Sequence, residues 1–334
     1  MGPAVVWTGT EVIVAGGDTG PPCPPNADCV SNQQARDGAA LDPATGRWRR
    51  ISDAPVDIPP YASAAYADGR ALILASTGDE RRLLSYDVDT DRWDRINLPD
   101  DAPRALVGDG DRVLLASTSD EHGRFADFIL DVETGAWSQL TADPLGQIFD
   151  RVLTPTPDGL VLTGKQLVED PGADGPALTI AAWLDRRSGK WSRLPDTEQI
   201  GGWRWAWTGT RLVDPTLGGG DGGEVGSWDR SYPYGGAISV PDGQWSPLPE
   251  PPSPRQDHWL TDTAGGRFSF SGGYVYDDRR SSWTPIDRPD HAPQHADAAV
   301  WADDRLVVVG GTDWNDAGGT ISSQTWIFDP EPSR

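Results

Sequence analysis

The feature that most constrains this chain is a recurrent spacing: an Asp followed six residues later by a Trp. It occurs at Asp42/Trp48, Asp87/Trp93, Asp131/Trp137, Asp185/Trp191 and Asp277/Trp283, with a shortened copy running from Val240 to Trp245. These Trp residues stand 45, 44, 54, 54 and 38 positions apart. A period of roughly 40–50 residues, each carrying short alternating strands, is the signature of a propeller blade. Every unit has the same order. A small or apolar strand (Ala298-Ala299-Val300-Trp301) meets a tight turn and an apolar run (Arg305 to Val309), and after a variable loop a third strand ends in Asp. The turns carry Asp68-Gly69, Asp158-Gly159, Thr8-Gly9, Thr208-Gly209, Thr45-Gly46 and Thr134-Gly135. Such pairs supply the positive φ that short hairpin loops need.

Seven such sets predict an all-β, seven-bladed β-propeller of four-stranded antiparallel blades filling residues 1–334 as one domain. The blades are expected near 3–53, 60–98, 102–142, 149–195, 201–249, 257–287 and 295–330. Only six sets have a Trp-led fourth strand. The seventh would place its Trp six residues after Asp329, at position 335 of a 334-residue chain, so the last blade is expected to lack its outer strand. Met1-Gly2 reads as an added start, with sequence removed upstream or downstream; a natively open blade is the alternative.

The chain resembles the Kelch-repeat propellers. The resemblance rests on Gly16-Gly17 and Gly310-Gly311 after second strands, the Asp-x-x-Thr-Gly-x-Trp turns, and Pro/Arg-rich links between units. It is most similar to the degenerate Kelch-like domains of exported proteins from high-GC bacteria. That implies a fold and an extracytoplasmic setting more than an activity, since one fold hosts many functions. Lys occurs only at 165 and 190, so Arg supplies nearly all of the 28 basic residues, as in proteins encoded by GC-rich genomes. Cys23 and Cys29 share one short loop, and a disulfide between them fits an oxidising compartment.

A formal charge of −23 excludes a nucleic-acid binder that works by a basic face. No run of 18 apolar residues occurs, so no helix is expected to insert in a membrane. The chain is expected to be a monomer that needs no cofactor.

The long links, 18–37, 165–176, 216–235 and 312–324, all fall on one face of a propeller, and long loops in compact domains are usually functional. Aligning the units brings Arg104, Arg151, Trp203, Trp259 and Asp297 to one level at the channel mouth, with Asp257 and His295 two residues earlier in their own units. Arg104 and Arg151 could clamp an anion by planar hydrogen bonds. Trp203 and Trp259 could stack a sugar or aromatic ring, and Asp257, Asp297 and His295 would complete the rim. The competing expectation is that each Arg pairs with one of the 51 acids and each Trp packs between blades. His258 and His295 with Asp257 form a weak candidate metal set. A copper radical oxidase of the galactose-oxidase type is not expected, because its Cys–Tyr crosslink needs an unpaired Cys. Trp228, Tyr232, Tyr234 and Trp314 could form an aromatic rim on the long loops. The sequence therefore points to a recognition module for a partner protein, a glycan, or a small anionic or aromatic ligand. The alternative is an enzyme using Asp257, His258, Asp297 or His295 as acid, base or metal ligand.

Overall fold

A computed structural model describes residues 1–22, 33–77, 80–170, 175–217, 232–253, 259–315 and 318–331. Asp257, His258, Cys23, Cys29 and Trp228, all singled out above, lie outside the described residues.

Seven separate antiparallel sheets make a seven-bladed propeller. Blade one is β1 (Ala4–Trp7), β2 (Val12–Ala15), β3 (Gly38–Asp42) and β4 (Arg47–Ile51). Blade two is β5 (Ala64–Ala67), β6 (Arg70–Thr77), β7 (Glu80–Asp87) and β8 (Arg92–Ile96). Blade three is β9 (Arg104–Asp109), β10 (Arg112–Ser117), β11 (Phe128–Asp131) and β12 (Ala136–Gln139). Blade four is β13 (Ile148–Thr156), β14 (Gly159–Gln166), β15 (Thr179–Asp185) and β16 (Lys190–Arg193). Blade five is β17 (Ala206–Trp207), β18 (Leu212–Asp214), β19 (Gly236–Ile238) and β20 (Trp245–Ser246). Blade six holds β21 (Phe268–Ser271), β22 (Tyr274–Asp277) and β23 (Ser282–Pro285). Blade seven holds β24 (Ala298–Ala302), β25 (Arg305–Asn315) and β26 (Gly318–Phe328).

The two three-stranded blades are incomplete at opposite ends. Among the described residues blade seven has its first three strands and no fourth. Blade six keeps its outer strands, and its inner strand shrinks to one bridge between Thr263 and Phe270. The segment 312–324, expected as an irregular loop, is instead the tip of a long hairpin in which Asp313 pairs with Thr320 and Trp314 with Gly319. Gly319 is needed there: a Cβ on it would come within 2.6 Å of the Trp314 ring.

The repeated Asp has a mechanical role. Asp42 Oδ1 accepts the amides of Ala44 and Thr45, and Asp87 Oδ1 those of Asp89 and Thr90. Asp131 and Asp185 do the same for Thr134, and for Arg187 and Ser188. The side chain thus closes the third-to-fourth turn and aims the chain into the outer strand. Asp329 begins an equivalent turn, accepting the amide of Glu331.

The repeated Trp joins neighbouring blades. Trp93, Trp137, Trp191 and Trp283 each donate Nε1–H to a backbone carbonyl of the preceding blade: Ser52, Asn97, Thr141 and Pro249, at 2.7–2.8 Å. Each acceptor lies four residues beyond that blade's own Trp. Between blades, apolar side chains from adjacent sheets interdigitate, as in the cluster of Leu114, Ile148, Leu153, Leu160 and Leu162. The ring closes where β1 packs against β24, with Val12 and Leu41 against Val307 and Val309. Among the described residues no helix is long and apolar enough to cross a membrane.

Candidate functional site

The two arginines proposed as an anion clamp are enclosed by the protein's own acceptors. Arg104 opens β9, and its guanidinium grips Asp100 through Nη2 at 2.5 Å and Nε at 3.3 Å. Its Nη1 donates to the Ala126 carbonyl, and its plane lies 5.4 Å from the Phe128 ring centroid. Arg151 sits in a β-bulge between Phe149 and Val152, next to Asp150 at φ 51°. The bulge breaks the alternation of side chains along the strand. Arg151 reaches Asp127 at 2.8 Å, Asp120 at 3.4 Å, Asp143 at 3.5 Å and the Ser117 carbonyl at 3.2 Å. Burial raises the pKa of Asp127, against the attraction of Arg151. These guanidiniums therefore tie together the blades and loops that supply their acceptors.

Trp203 and Trp259 separate. Trp259 is buried in the core of blades six and seven, edge-on to Phe270 at 6.1 Å. Trp203 is half-buried, and Lys165 Nζ stands 4.1 Å from its ring centroid. The same ammonium approaches the Phe149 ring at 5.8 Å and Asp150 at 3.3 Å. Lys165 is itself buried, so Trp203 already stacks on a cation.

Asp297 is half-buried beside Gly2 and Gly310. Burial raises its pKa, opposed by the chain's amino terminus and the Gly2 amide. His295 is exposed, and its backbone exchanges two hydrogen bonds with Thr312. Among the described residues no group of three or more His, Cys, Asp or Glu side chains is placed to hold a metal ion.

The long-loop face instead offers a groove of about 560 Å³ at blade five. Tyr232, Tyr234 and Leu217 line it from the second-to-third loop. Trp245 and the link Pro247-Leu248-Pro249-Glu250-Pro251 line it from the outer side, with Glu198 at its edge. Its walls are held in place. Gly201 N–H donates to the Tyr234 carbonyl and Ile200 N–H to the Pro233 carbonyl. Trp245 differs from the other blade-joining tryptophans, because its Nε1–H meets the side-chain oxygen of Gln199 at 3.3 Å. Gln199 in turn donates to the fully buried Asp214, which also takes the amide and hydroxyl of Thr216. Burial raises the Asp214 pKa. Gly236 makes room for this chain, since a Cβ there would stand 2.6 Å from Trp245 Nε1.

Tyr232 and Tyr234 were legible as loop aromatics. In sequence Trp245 follows the pattern of the blade-joining residues, and only the shortening of its repeat hints at a different neighbour. Two further clefts open on the face of tight turns. One, of about 510 Å³, includes Trp183, Trp207 and Arg187; the other, of about 830 Å³, lies between blades seven and one.

No known protein-family model matches the chain. No curated protein matches it significantly.

Proposed function

We propose that this is a recognition propeller whose groove at blade five takes an extended segment of a partner protein. The supporting observation is the groove's lining: two tyrosines, a tryptophan held by a buried polar chain, and four prolines, bordered by Glu198 and Glu250. Rigid aromatic and proline surfaces gain contact area with little loss of side-chain freedom, and aromatic residues dominate recognition surfaces. The carboxylates, within a chain of charge −23, favour a neutral or basic segment over an anionic ligand. The Kelch-like character of the domain is supported by its Gly pairs and Asp-to-Trp turns. An extracytoplasmic setting is supported by the closeness of Cys23 and Cys29 in sequence, and intact-mass measurement after thiol alkylation without reductant checks it: two added groups would oppose a disulfide between them.

The binding experiment passes a set of extended peptides of graded charge over the immobilised full chain. Neutral and basic peptides with aromatic or proline residues are expected to be retained, and acidic ones to pass. Tyr234→Ala should weaken retention about tenfold, as for loss of an aromatic anchor. Glu250→Lys should shift the preference toward acidic peptides. Binding that neither substitution changes would place the site elsewhere.

A further inference from the structure

On the face of tight turns, blade four departs from the pattern of its neighbours. In blades two and three an arginine opens the second strand opposite the turn aspartate, Arg70 against Asp87 and Arg112 against Asp131. In blade four that residue is Gly159, opposite Asp185. The space goes to an indole, since a Cβ on Gly159 would stand 2.7 Å from the Trp183 ring. Trp183 lies two residues before its turn aspartate, where other blades carry Ala40, Ser85, Ile129 and Val275. It belongs to the apolar cluster of Leu212 and Ile238, and it also lines the 510 Å³ cleft between blades four and five.

The half-buried Trp207 is the second aromatic of this cleft. Trp7 and Trp301 hold its place in blades one and seven, and each bonds to the preceding blade. Trp7 Nε1–H donates to Asp303 at 3.1 Å, and Trp301 Nε1–H to the Thr263 carbonyl at 2.8 Å. Asp303 is the first of two turn residues between the paired Ala302 and Arg305. In blade four the matching turn runs between Thr156 and Gly159, and its first residue is Pro157, whose side chain accepts nothing. Among the described residues neither the Trp207 nor the Trp183 indole N–H has an acceptor, although such groups usually find a partner when covered. The Arg187 guanidinium likewise makes no hydrogen bond or ion pair among the described residues, and the Asp158 carboxylate accepts no hydrogen bond from them. The neighbouring Arg186 is different, because Asp109 already holds it through two bonds.

We propose that this cleft is a second binding site, separate from the blade-five groove, and that it takes a neutral pyranose ring. The apolar face of the sugar would lie on Trp207, with Pro157 and Pro241 beside it. Its hydroxyls would accept from the two indole N–H groups and Arg187 and donate to Asp158. A few convergent polar groups on an aromatic wall are what a small-ligand site of this size requires. Neutrality follows from the lining, where Asp158 and Asp185 stand against Arg186 and Arg187 with no surplus of either sign.

The test is saturation-transfer NMR on the full chain with glucose, galactose, mannose, cellobiose, maltose, lactose and glucuronate as probes. At least one neutral sugar should receive saturation, most strongly at the ring protons of one face. Transfer to a disaccharide through its terminal ring would identify the end of a glycan as the ligand, and transfer to monosaccharides alone would identify a free sugar. Trp207→Ala should weaken binding about tenfold or more. Pro157→Asp removes no ring; it restores the acceptor that Trp7 finds in Asp303, so it should also weaken binding while leaving the thermal midpoint unchanged or raised. Absence of transfer to every neutral sugar would overturn the proposal, as would full affinity in both variants. Preference for glucuronate over glucose would overturn the neutral ligand. Binding lost in Tyr234→Ala but kept in Trp207→Ala would move the sugar to the blade-five groove, whereas the peptide experiment there stands or falls independently of this one.

Discussion

Arg151 is met by three carboxylates, and each of the four side chains is nearly inaccessible to water. A charge pair of this kind adds little beyond an apolar equivalent, but removing one member strands the others. Arg151→Ala should therefore destabilise the protein by about 3–5 kcal/mol, measured as a shift in the urea midpoint at constant slope. A shift no larger than that of an exposed pair such as Arg50/Asp53, 2.9 Å apart at the surface, would show that water already reaches the cluster. The position of Arg151 at the start of an inner strand was legible from the repeat. Its direction was not, because period-two alternation fails at a bulge, and its partners Asp120, Asp127 and Asp143 cannot be picked out of 51 acids. Trp203 was obscured similarly: Lys165, which covers its ring, comes from the preceding blade.

At the level of elements, the Asp-closed turns set the acid limit of the fold. The pKa values of Asp42, Asp87, Asp131 and Asp185 are lowered, first by hydrogen bonds from Thr45, Thr90, Thr134 and Ser188 respectively. A carboxylate whose folded pKa is depressed contributes stability above its unfolded value, about 3.9, and loses it as pH falls through the folded value. Asp127 and Asp214 act in the opposite sense. Their raised values make the folded state bind protons more tightly, so their cost grows as pH rises above about 3.9. Thermal melts should accordingly show Tm falling as pH drops below about 4. In the double variant Asp42→Asn, Asp185→Asn that acid limb should be shallower; an unaltered limb would remove these turns from the account. The spacing from Asp to Trp made these turns readable without a structure. The lost inner strand of blade six was not readable, because its segment still carries Trp259 and Leu260, which stay buried without joining the sheet. The long hairpin of blade seven was also hidden, because Gly, Asp and Asn at its tip look like loop composition.

For the whole molecule, the arrangement of sheets matters more than any one contact. Each blade is hydrogen-bonded within itself, and among the described residues no strand pairing joins one sheet to the next. Neighbours are held by interdigitated side chains, indole-to-carbonyl bonds and cross-blade ion pairs such as Arg186 to Asp109 at 2.7 Å and Arg211 to Asp278 at 2.8 Å. In repeat architectures stability is close to a sum of unit and nearest-neighbour contributions. The junction of blades seven and one has packing but, among the described residues, no indole-to-carbonyl bond from Trp48, so native-state hydrogen exchange should be faster in β24–β26 and β1–β4 than in β9–β16. Uniform protection around the ring would mean that the inner-strand packing of β1 on β24 suffices to make all seven junctions equal. If the junction is the weak one, the propeller behaves as a split washer. A small flexing at that one junction would then change the bore enclosed by the ring while every strand pair stays intact.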